Sequence, residues 1–229
     1  MSDYFVICSR CESKNPLFQS VCKNCGSITR NRIPSIDFWK ILGRLIENPK
    51  SALIEIIQAE QKNFTLFVLC ASLFKIFLLG SLVSGVVIGK NFSIPSFIFF
   101  SASVVILIFI IGHLVKRMTT GVKDRGNFRI KDFFAAFSYS FTPQLFGLFI
   151  LFVLEFIVFG EQMFTFNPSP FLIKKNFAYL FLSLELGITV WNIYLTKIFF
   201  SIYTDKKLPP YLASFVLIVL IHLLTIIFL

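Results

Sequence analysis

The pattern of apolar and polar positions divides the chain into three zones. Residues 1–33 are polar and hold four of the five cysteines. Residues 34–62 interleave apolar and polar positions at helical spacing, and residues 63–229 are overwhelmingly apolar. Crossing a hydrocarbon core of about 30 Å takes about 20 apolar residues. Five runs are long enough: Phe64–Gly89, Ile94–Val115, Phe133–Phe159, Phe177–Tyr203 and Pro210–Leu229. In lipid each backbone polar group must find its partner within the segment, so these runs predict helices. Lys90-Asn91 and Pro95, the basic stretch from Lys116 to Asp132, Asn167-Pro168-Ser169-Pro170 with Lys174-Lys175, and Asp205-Lys206-Lys207 with Pro209-Pro210 break them apart. No repeat of fixed period stands out. The expected fold class is all-α, a polytopic membrane helix bundle of about five spans with a small N-terminal zinc ribbon.

The middle zone reads as a collar. Phe38, Ile41, Leu42, Leu45 and Ile46 recur at helical spacing, and Ala52, Leu53, Ile56 and Ile57 do so after Pro49. Asn48-Pro49 breaks the run, and Lys40, Arg44 and Lys50 are interleaved. One or two interfacial helices on the cytoplasmic leaflet are expected. The alternative is a small soluble unit packing on itself.

Composition strengthens the membrane reading. Hydrophobic residues make up 56% of the chain and charged residues 15%, against about 25% charged in soluble domains. Mean hydropathy is +0.79. The net charge of +10 raises nucleic acid as a partner. Most Lys and Arg lie beside apolar runs, however, where membrane topology accounts for them, so no nucleic acid is expected. Met1 to Arg10 lacks the apolar stretch of a cleaved signal peptide. Basic residues concentrate in the N-terminal zone, in Lys116 to Asp132, and at Lys206 and Lys207; the opposite side gets Lys90, Lys174 and Lys175. The excess of positive charge inside predicts a cytoplasmic N-terminus and an exoplasmic C-terminus.

Candidate chemistry lies in two places. Cys8-Ser-Arg-Cys11 and Cys22-Lys-Asn-Cys25 are CxxC pairs, and zinc takes four such thiolates as a closed tetrahedral site. Gly26 suits the turn after the second pair. The segment is too short for an apolar core, so metal binding would supply its folding energy. Two disulfides or a redox dithiol are the rival readings; a cytoplasmic location disfavours the first and the absence of a βαβ context the second. Cys70 is expected to pack within the first span.

The other place is inside the membrane, where a central charge needs a partner. Lys75 lies about 16 Å into the first span and Glu185 about 12 Å in from the opposite face, so their depths nearly coincide. Asn192 and His222 fall near the same level. The arrangement reads as a buried pair that fixes helix register, or as an ion or proton path. Glu155 is expected to reach the outer interface and His113 to be solvated. Ser81, Gly85 and Gly89 on the first span, and Ala135, Ala136, Ser138, Ser140 and Gly147 on the third, read as packing faces. No Ser/His/Asp, HExxH or paired-carboxylate arrangement is visible, so no enzyme is expected.

These features together resemble the Yip family, membrane proteins named for interacting with Ypt/Rab GTPases, and especially its prokaryotic members. The likeness is carried by Ile46-Glu-Asn-Pro49-Lys before the first span, by five spans, by Gly126-Asn-Phe128-Arg-Ile-Lys-Asp-Phe leading into Ala136-Phe-Ser-Tyr139-Ser-Phe-Thr-Pro143, and by Trp191 to Tyr203. The resemblance implies a non-enzymatic membrane organiser, here in a bacterial inner membrane. The acidic-aromatic-Gly-Pro motif of the eukaryotic trafficking members is missing. The cysteine segment resembles the zinc-ribbon knuckles of bacterial membrane proteins, which implies docking or tethering. Three units are expected: a zinc ribbon over 1–33, interfacial helices over 34–62 and a Yip-like membrane domain over 63–229. The functional expectation is an adaptor or scaffold that meets the bilayer and a cytoplasmic or membrane protein, with homo-oligomers compatible. The alternative is a small transporter or channel using Lys75, Glu185 and His222.

Overall fold

The computed structural model describes residues 5–16, 19–29, 35–87, 93–119, 129–165, 169–203 and 209–229. Gly89, the stretch Gly126 to Phe128, and the loop lysines Lys90, Lys206 and Lys207 lie outside these residues. Near the N-terminus β1 (Phe5–Ile7) and β2 (Lys14–Pro16) pair antiparallel, with Val6 opposite Asn15. The collar is a helical hairpin of α1 (Phe38–Glu47) and α2 (Pro49–Gln58). Asn48 serves both helices. Its N–H donates to Arg44 O at 2.8 Å, which ends α1, and its side chain accepts from the Ser51 N–H at 3.2 Å, which starts α2. Pro49 sits at the first helical position of α2, where its missing N–H costs nothing. Arg44 then clamps the hairpin, pairing with Glu55 and donating to Ser51 Oγ at 2.9 Å.

The apolar stripes of this hairpin are turned onto the bundle. Ile41, Ala52, Leu53 and Ile56 are fully buried, and α2 packs against α5 (Ile130–Ser140) and α10 (Lys175–Tyr203). One edge remains apolar and open: Trp39 is 78% exposed, and Phe38 stacks near Phe64 at 5.0 Å.

Among the described residues five helical stretches are long and apolar enough to cross a membrane. They lie in α3 (Thr65–Val87), α4 (Ile94–Thr119), a composite third stretch, α10 and α11 (Pro210–Phe228). The third differs from the single helix expected over Phe133–Phe159. Here α5 stops at Phe141, α6 (Thr142–Phe146) begins, a π-helical turn follows over Gly147–Leu151, and α7 (Phe152–Phe159) completes the run. Two short helices, α8 (Gln162–Thr165) and α9 (Pro170–Ile173), precede α10. Pro143 explains the break, because it has no N–H to continue the ladder of α5. The carbonyls near the break accept hydroxyls instead: Ser140 donates to Phe137 O at 2.6 Å, Thr142 to Tyr139 O at 2.5 Å and Ser72 to Phe141 O at 3.0 Å. That substitution is what lipid demands of interrupted helices.

Phenylalanine fills the centre. Phe199 meets Phe133 and Phe137 edge-on, with centroids 4.9 and 5.7 Å away, and Tyr203 lies against it at 5.2 Å. The outward faces are apolar too, as at Ile98, Ile106, Ile157, Leu186, Val190 and Ile227. A lipid-facing surface needs that character.

The collar is fastened by charge. Lys62 lies 3.0 Å from Asp132, Arg129 bridges Asp132 and Glu60 at 2.7 Å each, and Lys131 meets Glu60 at 2.6 Å. Tyr139 adds a hydrogen bond to Asn63 O at 2.8 Å. Burial opposes ionisation of Glu60, but Lys131 and Arg129 outweigh it and hold its carboxyl below the usual range. For Lys62 burial wins. It pushes the ammonium down to about 8, against the attraction of Asp132.

Two outcomes follow from this packing. A Cβ at Gly80 would lie 2.4 Å from Thr225 Oγ1 and 2.7 Å from its Cβ. Gly80→Ala must push α3 and α11 apart and should cost about 1–3 kcal/mol, the usual range for overpacking. Thr225→Ala should recover part of this, since its Cβ remains; thermal unfolding of the purified variants checks both. Lys62 binds fewer protons folded than unfolded between about pH 8 and its ordinary value of 10.5. Its contribution to stability therefore rises with pH across that window. Replacing it by Met should flatten the slope of the unfolding midpoint against pH between 8 and 10.

Candidate metal centre and intramembrane charge cluster

Two tight turns build the cysteine site. In the first, the Cys8 N–H donates to Ser13 O at 3.0 Å and the Glu12 N–H to Cys8 O at 2.9 Å. In the second, the Cys22 N–H donates to Ser27 O at 2.8 Å and the Gly26 N–H to Cys22 O at 3.0 Å. Glu12 and Gly26 occupy the same place in each turn, with φ of 56° and 68°. The two turns are thus copies offset by fourteen residues, C-x-x-C-x-S each time. This short repeat was readable in the sequence from the shared serine, but its arms differ elsewhere.

The four sulfurs lie within 4.8 Å of one another and could hold a metal ion. Cys8 and Cys25 are 3.6 Å apart and Cys11 and Cys22 3.5 Å. A tetrahedron with metal–sulfur bonds of about 2.3 Å has edges of about 3.8 Å, close to these. The surroundings favour a thiolate at Cys8 and Cys22, while at Cys25 the pull of Ser27 is outweighed by burial and by the Cys11 and Cys8 sulfurs, which push that thiol up. Ser27 Oγ lies 3.0 Å from both Cys8 and Cys25, and Ser13 Oγ lies 3.1 Å from both Cys11 and Cys22. The hydroxyl of Ser13, then backbone N–H groups of the turn and the Asn15 amide, bring Cys22 down to about 5. Ser27 leads a similar lowering at Cys8. Cys70 is exposed on the surface of α3 rather than packed inside it.

Inside the bundle the structure joins Lys75 to Glu185, as their depths predict. It also corrects Glu155. Expected at the interface, it is 4% exposed and lies 3.2 Å from Lys75 Nζ. The π turn is the reason. One extra residue per turn rotates everything after it, so that Glu155 faces α3 rather than lipid. Gly147, in that turn, lets the lysine pass: a Cβ there would sit 3.3 Å from Lys75 Cε and 3.1 Å from Ile188 Cδ1. No sequence rule predicts a π turn, so the partner stayed hidden. A pair of carboxylates on facing helices therefore does exist, contrary to the expectation. Asn192 is fully buried on the Glu185 face of α10. His222 is close enough to Glu185 to feel its charge and holds Ile218 O at 2.8 Å through Nδ1. His113 is exposed, as expected. Gln144 and Thr196 are fully buried polar residues that the sequence did not single out.

The family model described as the Yip1 domain matches residues 43–228. Comparison with curated proteins and with solved structures gives no match.

Charge counting orders the variants of the cluster. Lys75→Met strands two carboxyls and should be the costly change, about 3–5 kcal/mol for a buried pair and less in lipid. Glu155→Gln or Glu185→Gln leaves a one-to-one pair and should cost less than a third of that. The triple change Lys75→Met/Glu155→Gln/Glu185→Gln should recover most of the loss. Unfolding of the four variants in detergent, measured side by side, checks the order.

Proposed function

The chain belongs to the Yip1-domain family, and from that premise we propose that it is a non-enzymatic membrane adaptor presenting a zinc-bound knuckle to the cytoplasm. It is an integral membrane protein of five spanning helices. The observation that supports the adaptor reading is the position of the cysteine cage. Cys8, Cys11, Cys22 and Cys25 bring four thiols together in a segment that precedes the matched family region. A closed four-thiolate site leaves no open position for catalysis, and zinc suits it by charge and geometry. Such a module is a folded surface on a short chain, which is what docking requires. The distribution of Lys and Arg supports an N-terminus inside and a C-terminus outside, in a bacterial inner membrane. Trp39, Phe38 and Phe64 support an interfacial role for the edge of the collar. The partner is a cytoplasmic or membrane protein, and a second copy of the chain is compatible.

A second reading is favoured by the charge cluster: a small transporter or channel built on Lys75, Glu185 and His222. Ion flux into proteoliposomes separates it from the adaptor.

The full chain, purified in mild detergent, should carry about one zinc per chain. Combining Cys22→Ser with Cys25→Ser should abolish the zinc while leaving membrane insertion intact. Crosslinking in native membranes should lose its N-terminal partner crosslinks in the same variant. Metal analysis without zinc, together with four freely reactive thiols, overturns the reading.

A further inference from the structure

The ionic cluster between α3, α7 and α10 does not balance. Lys75 is 2% exposed, Glu155 4% and Glu185 2%. One ammonium facing two carboxylates leaves a net charge of −1 in a region where an unpaired charge is expensive. Both carboxyls converge on the same ammonium nitrogen. Glu185 Oε1 is paired with Lys75 Nζ, and its second oxygen has no hydrogen-bond donor among the described residues.

Further polar groups face the same interior. Gly147 meets Ile188, so one turn toward the collar on α6 and one turn toward it on α10 bring Gln144 and Asn192 to the same depth. Both are 0% exposed, α6 packs against α10, and none of their four amide atoms has a partner among the described residues. Buried amides without partners mark places where water or an ion completes the bonding. On the other side a cavity of about 10 Å³ is lined by Lys75, Ser81, Leu82, Phe152, Glu155 and Met163. That is room for about one water molecule.

We propose that Lys75, Glu155 and Glu185 form a proton-binding site within the membrane, in which one proton is shared between the two carboxyls while Lys75 stays charged. Water supplies the proton as hydronium: one carboxylate becomes a carboxylic acid, its O–H donates to the other, and water is left. The cluster is then neutral. A proton fits better than a metal cation, because Lys75 Nζ already contacts both carboxylates and a second cation would sit beside an ammonium. The cavity gives one approach to the site, and the buried amides of Gln144 and Asn192 lie on its collar side. Among the described residues His222 is the remaining titratable group that faces it, from α11, and its Nε2 has no partner among them. On α4 the ionisable groups His113, Lys116 and Arg117 are exposed at the collar end. Lys197 on α10, Glu161 before α8 and Lys174 after α9 are exposed, the last donating to Val158 O at 2.7 Å. The site stands apart from the adaptor reading, whose test is the zinc content.

Infrared spectroscopy of the full chain in lipid nanodiscs reads the proton directly, through the carbonyl stretch of a protonated carboxyl. Wild type at neutral pH should show one such band, shifted in deuterated water. Glu155→Gln and Glu185→Gln should each remove it, because a one-to-one pair needs no proton. Lys75→Met should roughly double it, and His222→Gln should leave it unchanged. A wild-type spectrum without the band overturns the proposal, whatever the variants do. So does a band that survives both glutamate changes, or one that vanishes on adding sodium chloride at constant pH, which would make sodium the occupant.

Discussion

A lysine in the middle of a bilayer must meet a carboxylate, and the central part of this bundle is arranged around that need. Lys75 alone would cost several kcal/mol on a lipid-facing helix. Its two partners come from different helices, so the pairing ties α3 to α7 and α10 at once. The local irregularities of the third crossing serve the same end. Pro143 interrupts the helix, the π turn re-aims the residues beyond it, and Gly147 leaves a path for the lysine stem. Each departure from a regular helix has its own local compensation. The hydroxyls of Ser72, Ser140 and Thr142 take up carbonyls near the break.

The collar obeys a different rule, because its end of the bundle can mix water with apolar contact. Its apolar stripe is buried against α5 and α10, and its charges close onto the start of α5 through Lys62, Asp132, Arg129 and Glu60. Surface ion pairs are worth little one at a time. Here they are partly buried and share partners, with Lys62 11% and Asp132 6% exposed. The network therefore sets where the hairpin sits, while burial of Ile41, Leu53 and Ile56 supplies the stabilisation. Lys62 also donates to the carbonyls of Ile56 and Ile57, near the end of α2 where those groups lack helical partners.

What the sequence disclosed follows from how local each signal was. Five spans are legible because apolar length is a property of a segment alone. The Asn48-Pro49 break and the cysteine turns are legible because each is written within a few residues. Lys75 with Glu185 was readable because depth can be counted along a helix. Glu155 was not, since counting assumes a regular helix and the π turn breaks that assumption between Gly147 and Leu151. The buried Gln144 escaped for the same reason: Pro143 moves the start of the crossing from Phe133 to Thr142, and with it which side chains face inward. The Pro143 break and the π turn, two irregularities of one crossing, account for the split of the third span, the buried second carboxylate and the unforeseen Gln144.

The boundary of the family match adds a last constraint. Residues 43–228 take in most of the collar and every spanning helix, while the four clustered cysteines precede them. The charge cluster thus lies within the matched domain, and the four-cysteine cluster lies in the segment before it. The two are held by unrelated forces. One depends on charge pairing at low dielectric, the other on four thiols that, with a metal bound, would convert binding energy into folding energy. Removing the metal should leave the bundle's packing intact, and neutralising the cluster should leave the knuckle intact. A function that needed both, such as a partner docked at the knuckle sensing protonation of the bundle, would need the collar as its lever. The collar is the element that joins them in the chain, and its attachment to α5 through Lys62 and Asp132 is the contact such coupling would have to move.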